Sequence, residues 1–267
     1  MKTAFITGAA RGIGLAIAEE FFRKGWRIAM ADILRDDLSA AAETLQQAGA
    51  EVLALPVDLS DLSAAEQAVA AAAGHFGGID CLVNNAAGHD FLGIHEMTPA
   101  SWHQVLQLNL TAPAFLAQFA RPHLIASGQG SIINVASIDA WFGKGIAPAY
   151  VAAKGGLLSL TYDLASALAP HGVRAVAVSP GAIDTELSRD YADASGGSLT
   201  EDLRNFTEDL IPLRRWGRPE EIARLVVWLA GPEAGYITGT EIVADGGLMH
   251  NNLSLKLKQR MNPGTFP

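Results

Sequence analysis

The chain is poor in several things, and each shortage excludes a class of protein. One cysteine, Cys81, stands in 267 residues, so no internal disulfide can form and the small stapled scaffolds of secreted proteins are excluded. Cys81 lies in the apolar run Ile79-Asp80-Cys81-Leu82-Val83 and reads as core. No apolar run reaches the ~18 residues of a membrane-spanning helix. The start, Met1-Lys2-Thr3-Ala4-Phe5-Ile6-Thr7-Gly8, is too short for the core of a secretion signal before glycine intervenes, so a cytoplasmic location is expected. Positive charge is scarce: 19 Lys and Arg against 28 Asp and Glu leave a net charge of −9. That is the wrong sign for neutralising nucleic-acid phosphates. The basic stretch Lys256-Leu257-Lys258-Gln259-Arg260 reads as a solvated tail face. The histidines show no paired ligand spacing, His89 and His95 lying six apart, and no metal site is expected.

What is present is core material: 49% of residues are hydrophobic and 18% charged. Short apolar runs alternate with longer helical patterns throughout. Thr3–Thr7, Arg27–Ala31, Glu51–Val57, Ile79–Asn84, Ser131–Val135, Arg174–Ser179 and Glu241–Val243 read as strands. Gly12–Lys24, Leu38–Ala48, Asp61–His75, a long Pro99–Ser127 capped by Thr98, Ala149–Leu168 and Glu220–Leu229 read as helices. This alternation predicts right-handed βαβ crossovers. The expected fold is α/β, a Rossmann-type doubly wound, mostly parallel seven-stranded sheet with helices on both faces. The strands are nearly continuous apolar runs, as a sheet covered twice requires. No repeat or long linker divides the chain, so residues 1–267 read as one domain. Loop composition collects at Leu187–Leu199, and a lid over a ligand crevice is expected within residues 186–212.

Thr7-Gly8-Ala9-Ala10-Arg11-Gly12-Ile13-Gly14 joins the first strand to the first helix. Gly8 permits the tight turn, Gly12 admits a pyrophosphate to the backbone, and Gly14 lets helix and sheet approach. The helix start then offers unpaired N–H groups to phosphate. Asp32, with Ile33 beside it, closes the second strand 18 residues past Gly14. A carboxylate there accepts from adenosine ribose hydroxyls and repels a 2′-phosphate, which favours NAD over NADP. Arg11 pulls the other way, as a basic residue in the turn able to meet that phosphate.

Tyr150-Val151-Ala152-Ala153-Lys154 opens a helix, and a spacing of four stacks the two side chains on one face. Free tyrosine, with a pKa near ~10, is a poor base at neutral pH. A neighbouring ammonium favours the phenolate and makes a usable general acid/base. Ser137 precedes Tyr150 by 13 residues, at the carboxyl end of the fifth strand, where open α/β sheets bind ligands.

In this order the glycine turn, Asp58-Leu59, Asn84-Asn85-Ala86, Asn109, Ser137, Tyr150/Lys154 and Pro180-Gly181 resemble the short-chain dehydrogenase/reductase family, over about residues 3–249. The resemblance implies that Tyr150 is the acid/base and that Lys154 holds the nicotinamide ribose and lowers the tyrosine pKa. It gives Ser137 the substrate oxygen and Asn109 a water linked to Lys154. Asp58 and Leu59 would flank adenine, and the Asn85-Ala86 backbone would line the adenosine side. Pro180, Gly181, Ile183 and Thr185 would position the nicotinamide. The family's Asn-Asn-Ala-Gly is altered, with Ala87 at the glycine position and Gly88 one residue late.

Position relative to Ser137 and Tyr150 nominates His89, Asp90, Asp139, Trp141, Phe142, Lys144 and Arg189 as the substrate wall. Rings beside charged groups suit a sugar or polyol, and Lys144 or Arg189 would accept an anionic substituent. The expected activity is NAD-dependent interconversion of a secondary alcohol or hemiacetal and a carbonyl. Two other readings stay open: an NADPH-dependent reductase of a 3-oxoacyl or cyclic ketone substrate, and a non-catalytic nicotinamide-nucleotide sensor or scaffold. Relatives assemble as tetramers, so a homotetramer or dimer is expected. The tail, residues 248–267, carries Met249, Leu253, Leu255, Leu257, Met261 and Phe266, enough apolar surface to dock on a neighbouring subunit.

Overall fold

A computed structural model of the chain describes residues 1–189 and 197–266, without the side chains of Leu187 and Arg189. The elements run β1 (Thr3–Thr7), α1 (Gly12–Arg23), β2 (Arg27–Asp32), α2 (Arg35–Gln47), β3 (Val52–Pro56), α3 (Leu62–Phe76) and β4 (Cys81–Asn84). Next come α4 (Pro99–Leu106), α5 (Ala112–Ala126), β5 (Ser131–Val135), α6 (Pro148–Leu168) and β6 (Arg174–Pro180). The series closes with α7 (Thr200–Leu210), α8 (Pro219–Ala230), β7 (Thr240–Ala244) and α9 (Leu255–Met261). All seven strands pair in parallel, in the order β3-β2-β1-β4-β5-β6-β7.

The pleat explains why the strands are apolar throughout. Alternate residues point to opposite faces, and both faces are covered. Ile6, Met30, Val83, Ile133 and Val178 pack on the side of α1, α2 and α8, against Ile17, Phe21, Leu38 and Val226. Phe5, Leu82, Ile132 and Ala175 pack on the other side, against Val69 and Ala72 of α3 and Leu116 and Leu124 of α5. Each large side chain buried this way contributes ~1.5–3 kcal/mol, so sheet and helices form one cooperative body. Cys81 belongs to this core, and burial pushes its thiol up to about 12, which removes it from nucleophilic chemistry.

Helix starts follow their caps. Asp61 accepts from Ser63 and Ala64 N–H at 2.9 and 3.1 Å. Thr98 and Ser101 exchange hydrogen bonds at 3.1 Å ahead of α4. The long helix expected from Pro99 onward differs in one respect. Between α4 and α5 the chain makes a π turn, Gln107–Thr111. A single wide turn leaves the apolar periodicity almost intact, so the sequence does not announce it. Among the described residues no helix is long and apolar enough to cross a membrane.

The strand order reverses between β1 and β4. Connections from those two strands leave in opposite directions and open a crevice at their carboxyl ends.

Candidate active site

That crevice is a cavity of ≈ 350 Å³. On its floor, Gly8 and Gly12 take left-handed φ of +64° and +56°, where a side chain is strained. Gly14 is fixed by contact: a Cβ there would lie 1.9 Å from the Gly8 carbonyl oxygen. Asn85 fastens the same turn. Its Nδ2 donates to the Thr7 and Gly8 carbonyls at 3.0 and 3.1 Å. Asn85 and Ala86 N–H both donate to Thr7 Oγ1, at 2.9 and 3.0 Å. The start of α1 has no side-chain cap, so its N–H groups and partial positive charge stay available to an anion.

Asp32 ends β2 inside this cavity, and its carboxylate is held in place. Oδ2 accepts from Ala10 N–H at 2.9 Å and Oδ1 from Leu34 N–H at 3.0 Å. Ile33, Asp58, Leu59, Ile13 and Arg11 share the lining, as do Pro180 and Thr185 after β6. Gly181 and Ile183 stand behind it. A Cβ on Gly181 would meet Asp245 Cβ at 2.7 Å, and Ile183 bridges to Gly217. Ala87, at the family's glycine position, also lines the cavity.

Ser137, Tyr150 and Lys154 close the opposite end. Lys154 is 2% exposed, its Nζ donating to the Val135 carbonyl at 2.9 Å and lying 5.5 Å from the Tyr150 ring centroid. Burial lowers its pKa to about 8, while Asp139 opposes the shift. The ammonium form therefore persists at neutral pH, with two N–H donors beyond the one spent on Val135. Ser137 Oγ accepts from Asp139 N–H at 3.1 Å, which leaves its own proton to donate. Asn109 sits in the π turn, behind the cavity lining. Its Nδ2 donates to the Gly88 and Val105 carbonyls at 2.7 and 2.8 Å. Its Oδ1 is buried without a partner among the described residues.

The expected substrate wall divides. Ser137 and Tyr150 line the cavity; His89, Asp139, Trp141 and Lys144 stand outside its lining. Trp141 Nε1 donates to both carboxylate oxygens of Glu241 on β7, at 3.1 and 2.9 Å. Lys144 is paired with Asp139 at 2.9 Å. His89 packs on Phe91 at 4.3 Å and edge-on to Tyr150 at 6.0 Å. Burial, then Lys144, lowers the His89 pKa, so the ring is neutral at pH 7. His89 Nδ1 and Asp90 Oδ2 are buried without partners among the described residues. The side chain of Arg189 and the loop residues 190–196 lie outside the described residues.

Sequence reasoning missed Leu34, Val57, Leu108, Val135, Ala136 and Glu186 on the lining. Leu34 was signalled by Asp32 two residues earlier, and Glu186 by Thr185 beside it. Leu108 had no signal, because the π turn sets its direction. The tail docks on its own chain: Asn251 Nδ2 donates to the Leu210 carbonyl, and Lys256 N–H donates to Asp209 of α7 at 2.9 Å.

The chain is similar to known proteins over most of its length. A protein-family model described as enoyl-(acyl carrier protein) reductase matches residues 8–249. A sorbitol dehydrogenase of Cereibacter sphaeroides is 36% identical over 92% of this chain and 96% of its own. An L-rhamnose 1-dehydrogenase (NAD(P)(+)) of Azotobacter vinelandii is 36% identical over 94% and 97%. A solved short-chain type dehydrogenase/reductase from Mycobacterium marinum superposes with a TM-score of 0.85 at 32% identity, covering 92% of this chain and 95% of that one. A likeness this extensive, over residues 8–249 for the family and 92% of the chain for the relatives, makes the chain a member of the short-chain dehydrogenase/reductase family, nicotinamide-dependent oxidoreductases of alcohols and carbonyls.

Proposed function

We propose that the protein is an NAD-dependent dehydrogenase that interconverts a secondary alcohol or hemiacetal of a sugar or polyol with the corresponding carbonyl. The observation that carries the cofactor assignment is the Asp32 carboxylate, pinned in the cleft by two backbone N–H groups. A group held on both oxygens does not rotate away from a 2′-phosphate, and its charge repels one. The glycine turn, whose Gly8 and Gly14 exclude any Cβ, and the uncapped start of α1 fit a dinucleotide. The substrate class is supported by relatives described as sorbitol, L-rhamnose and galactitol dehydrogenases, at 35–36% identity. A 3-oxoacyl-[acyl-carrier-protein] reductase of Thermotoga maritima, 32% identical, supports the reductive alternative.

Held by the glycine turn, Asp32 and Lys154, a nicotinamide cofactor would supply the hydride chemistry at the substrate carbon. The protein moves the proton. Ser137 donates to the substrate oxygen and orients it toward Tyr150, which removes the hydroxyl proton in oxidation and returns it in reduction. The Lys154 ammonium favours the phenolate electrostatically and offers its remaining donors to the nicotinamide ribose. Asn109 holds the Gly88 loop against the helix, and its buried Oδ1 is the acceptor for a water that passes the proton outward. Assembly as a cytoplasmic homotetramer belongs to the same reading, and the exposed Phe115 of α5 and Tyr162 of α6 support a contact between copies.

The test is initial-rate formation of reduced nicotinamide with NAD⁺ and NADP⁺ in parallel on neutral sugars, anionic sugars, polyols, cyclic alcohols and steroids. Turnover on sugars or polyols with NAD⁺ is expected, falling ~10²–10⁴-fold in Tyr150→Phe. Turnover confined to ketone reduction with NADPH would overturn the reading.

A further inference from the structure

Arg11 and Glu186 meet across the mouth of the cavity, Nη1 to Oε2 at 2.8 Å. They come from opposite banks: Arg11 is the N-cap of α1, and Glu186 opens the 3₁₀ turn after β6. The banks also touch one residue further on, where a Cβ on Gly12 would lie 3.5 Å from Thr185 Cγ2. The charges on the lining are unbalanced. Asp32, Asp58 and Glu186 supply three carboxylates, whereas Arg11 and the buried Lys154 are its only cations among the described residues. Lys154 is committed to the far end, beside Tyr150. On that lining Arg11 is therefore the one cationic side chain toward the adenosine side; Arg35, exposed three residues past Asp32, stands outside it.

Arg11 begins close to that side. The preceding residue, Ala10, donates its N–H to Asp32 at 2.9 Å, so the Arg11 backbone lies next to the carboxylate that meets the ribose. Its guanidinium is nevertheless drawn across the cleft to Glu186.

We propose that Glu186 is a cofactor-selecting residue: by holding Arg11 across the cleft, it withholds the cation that a 2′-phosphate beside Asp32 needs. The inference rests on the reading of Asp32 above. Discrimination then has two parts, repulsion by a fixed carboxylate and sequestration of the compensating charge. The second part is the more easily altered. Both partners are about half exposed, at 47% and 62%, and a pair of that exposure is worth about a two- to fivefold change in an equilibrium constant.

The experiment measures dissociation constants for NAD⁺ and NADP⁺ by isothermal titration, at fixed ionic strength, for the wild type, Glu186→Gln, Arg11→Gln and the double variant. Glu186→Gln is expected to tighten NADP⁺ relative to NAD⁺ about two- to fivefold. Adding Arg11→Gln is expected to abolish that gain, because the freed guanidinium is its source. Arg11→Gln alone is expected to leave the ratio of the two constants where it was. An unmoved ratio in Glu186→Gln overturns the proposal. So does a gain that survives in the double variant, which would mean that Glu186 acts only by its own negative charge. A wild type that binds NADP⁺ more tightly than NAD⁺ overturns the Asp32 reading itself, and it does so in the first titration, before any variant is compared.

Discussion

Replacing Lys154 by methionine separates the cost of a buried charge from its use. The ammonium is 2% exposed and its pKa falls from 10.5 to about 8, chiefly through loss of solvation. A shift of that size corresponds to about 3 kcal/mol of native-state penalty for the charged form. Methionine has nearly the same length and carries no charge, so it removes the penalty. It also strips the Val135 carbonyl of its donor at 2.9 Å, and an unpaired buried carbonyl costs ~1–3 kcal/mol. At pH 7 the variant is therefore expected to be as stable as the wild type or up to about 2 kcal/mol more stable, while losing most of its turnover. The dependence on pH is the sharper measurement. Between about pH 8 and 10.5 the unfolded chain keeps the lysine proton and the folded chain has released it, so wild-type stability rises with pH across that window. The variant lacks this contribution. Urea unfolding of both proteins at equal protomer concentration is expected to show the wild type gaining on the variant by about 1.4 kcal/mol per pH unit above pH 8, or about 2 kcal/mol by pH 9.5. A difference that stays flat from pH 7 to 9.5 would show that the ammonium is solvated in the folded state, and the electrostatic account of the Tyr150/Lys154 pair would fall with it.

Three further outcomes follow from the contacts. Gly14→Ala puts a methyl 1.9 Å from the Gly8 carbonyl, so either β1 and α1 part or the turn loses its shape. We expect NAD⁺ binding to be lost and the melting temperature to fall, and a variant that binds normally would contradict the packing. Asn109→Ala leaves the Gly88 and Val105 carbonyls without their shared donor. A loss of ~2–4 kcal/mol in chemical denaturation is expected, counting ~1–3 per unpaired carbonyl and some relaxation; Asn109→Asp, which offers no amide donor, should not rescue it. Ending the chain at His250 removes Asn251 from the end of α7 and Lys256 N–H from Asp209. Hydrogen exchange is expected to quicken across Thr200–Leu210 and the Michaelis constant to rise, with exchange in β1 and β4 unchanged; unaltered exchange in α7 would show that the tail does not hold it.

The parts of the site that were legible in the sequence are those whose residue types are dictated by backbone geometry. Gly8, Gly12 and Gly14 answer to positive φ and to a contact that tolerates no Cβ, so their spacing is readable from first principles. Asp32 was placed by its position at the end of a strand, and Tyr150 with Lys154 by a helical spacing of four. The parallel pairing follows from alternation and the handedness of crossovers, while the order, reversing between β1 and β4, is set by long-range packing. Trp141 was not legible, because its partner Glu241 lies 100 residues away and no local rule links them. The π turn around Asn109 was hidden for a related reason. One extra residue in a turn changes which carbonyls are left free without changing the apolar pattern, and the Asn109 amide then claims the Val105 carbonyl four residues earlier. By sequence Arg11 pulls toward NADP; the structure pairs it with Glu186, a long-range contact that changes what the residue offers.

The same division appears in the energetics of the two banks. The cofactor bank is held by backbone and buried groups: Asn84 to Asn134 at 2.8 Å, Asn134 to Thr161 at 2.9 Å, Asn85 on the glycine turn, and Asp32 on Ala10 and Leu34. Breaking any of these strands a buried polar group. Helix α7 has no buried residue at all among those described. It is held by Trp216 Nε1 donating to Thr207 at 2.7 Å, by Arg204 over the Trp216 ring at 5.2 Å and paired to Asp184 at 3.4 Å, and by the caps from the tail. Of these, the ion pair from the partly exposed Arg204 contributes ~0.2–1 kcal/mol, while Trp216, itself buried, ties α7 to the body of the fold. An element that fully buries none of its described side chains opens more readily than the core strands. A dehydrogenase needs that asymmetry, since the nicotinamide must be held to within a fraction of an ångström while substrate enters and product leaves. Ser137 and Tyr150 belong to the well-held side of the crevice, whereas the segment around α7 is the part that local sequence rules constrain least. That is a physical reason why the chemistry of this chain is easier to read than its substrate.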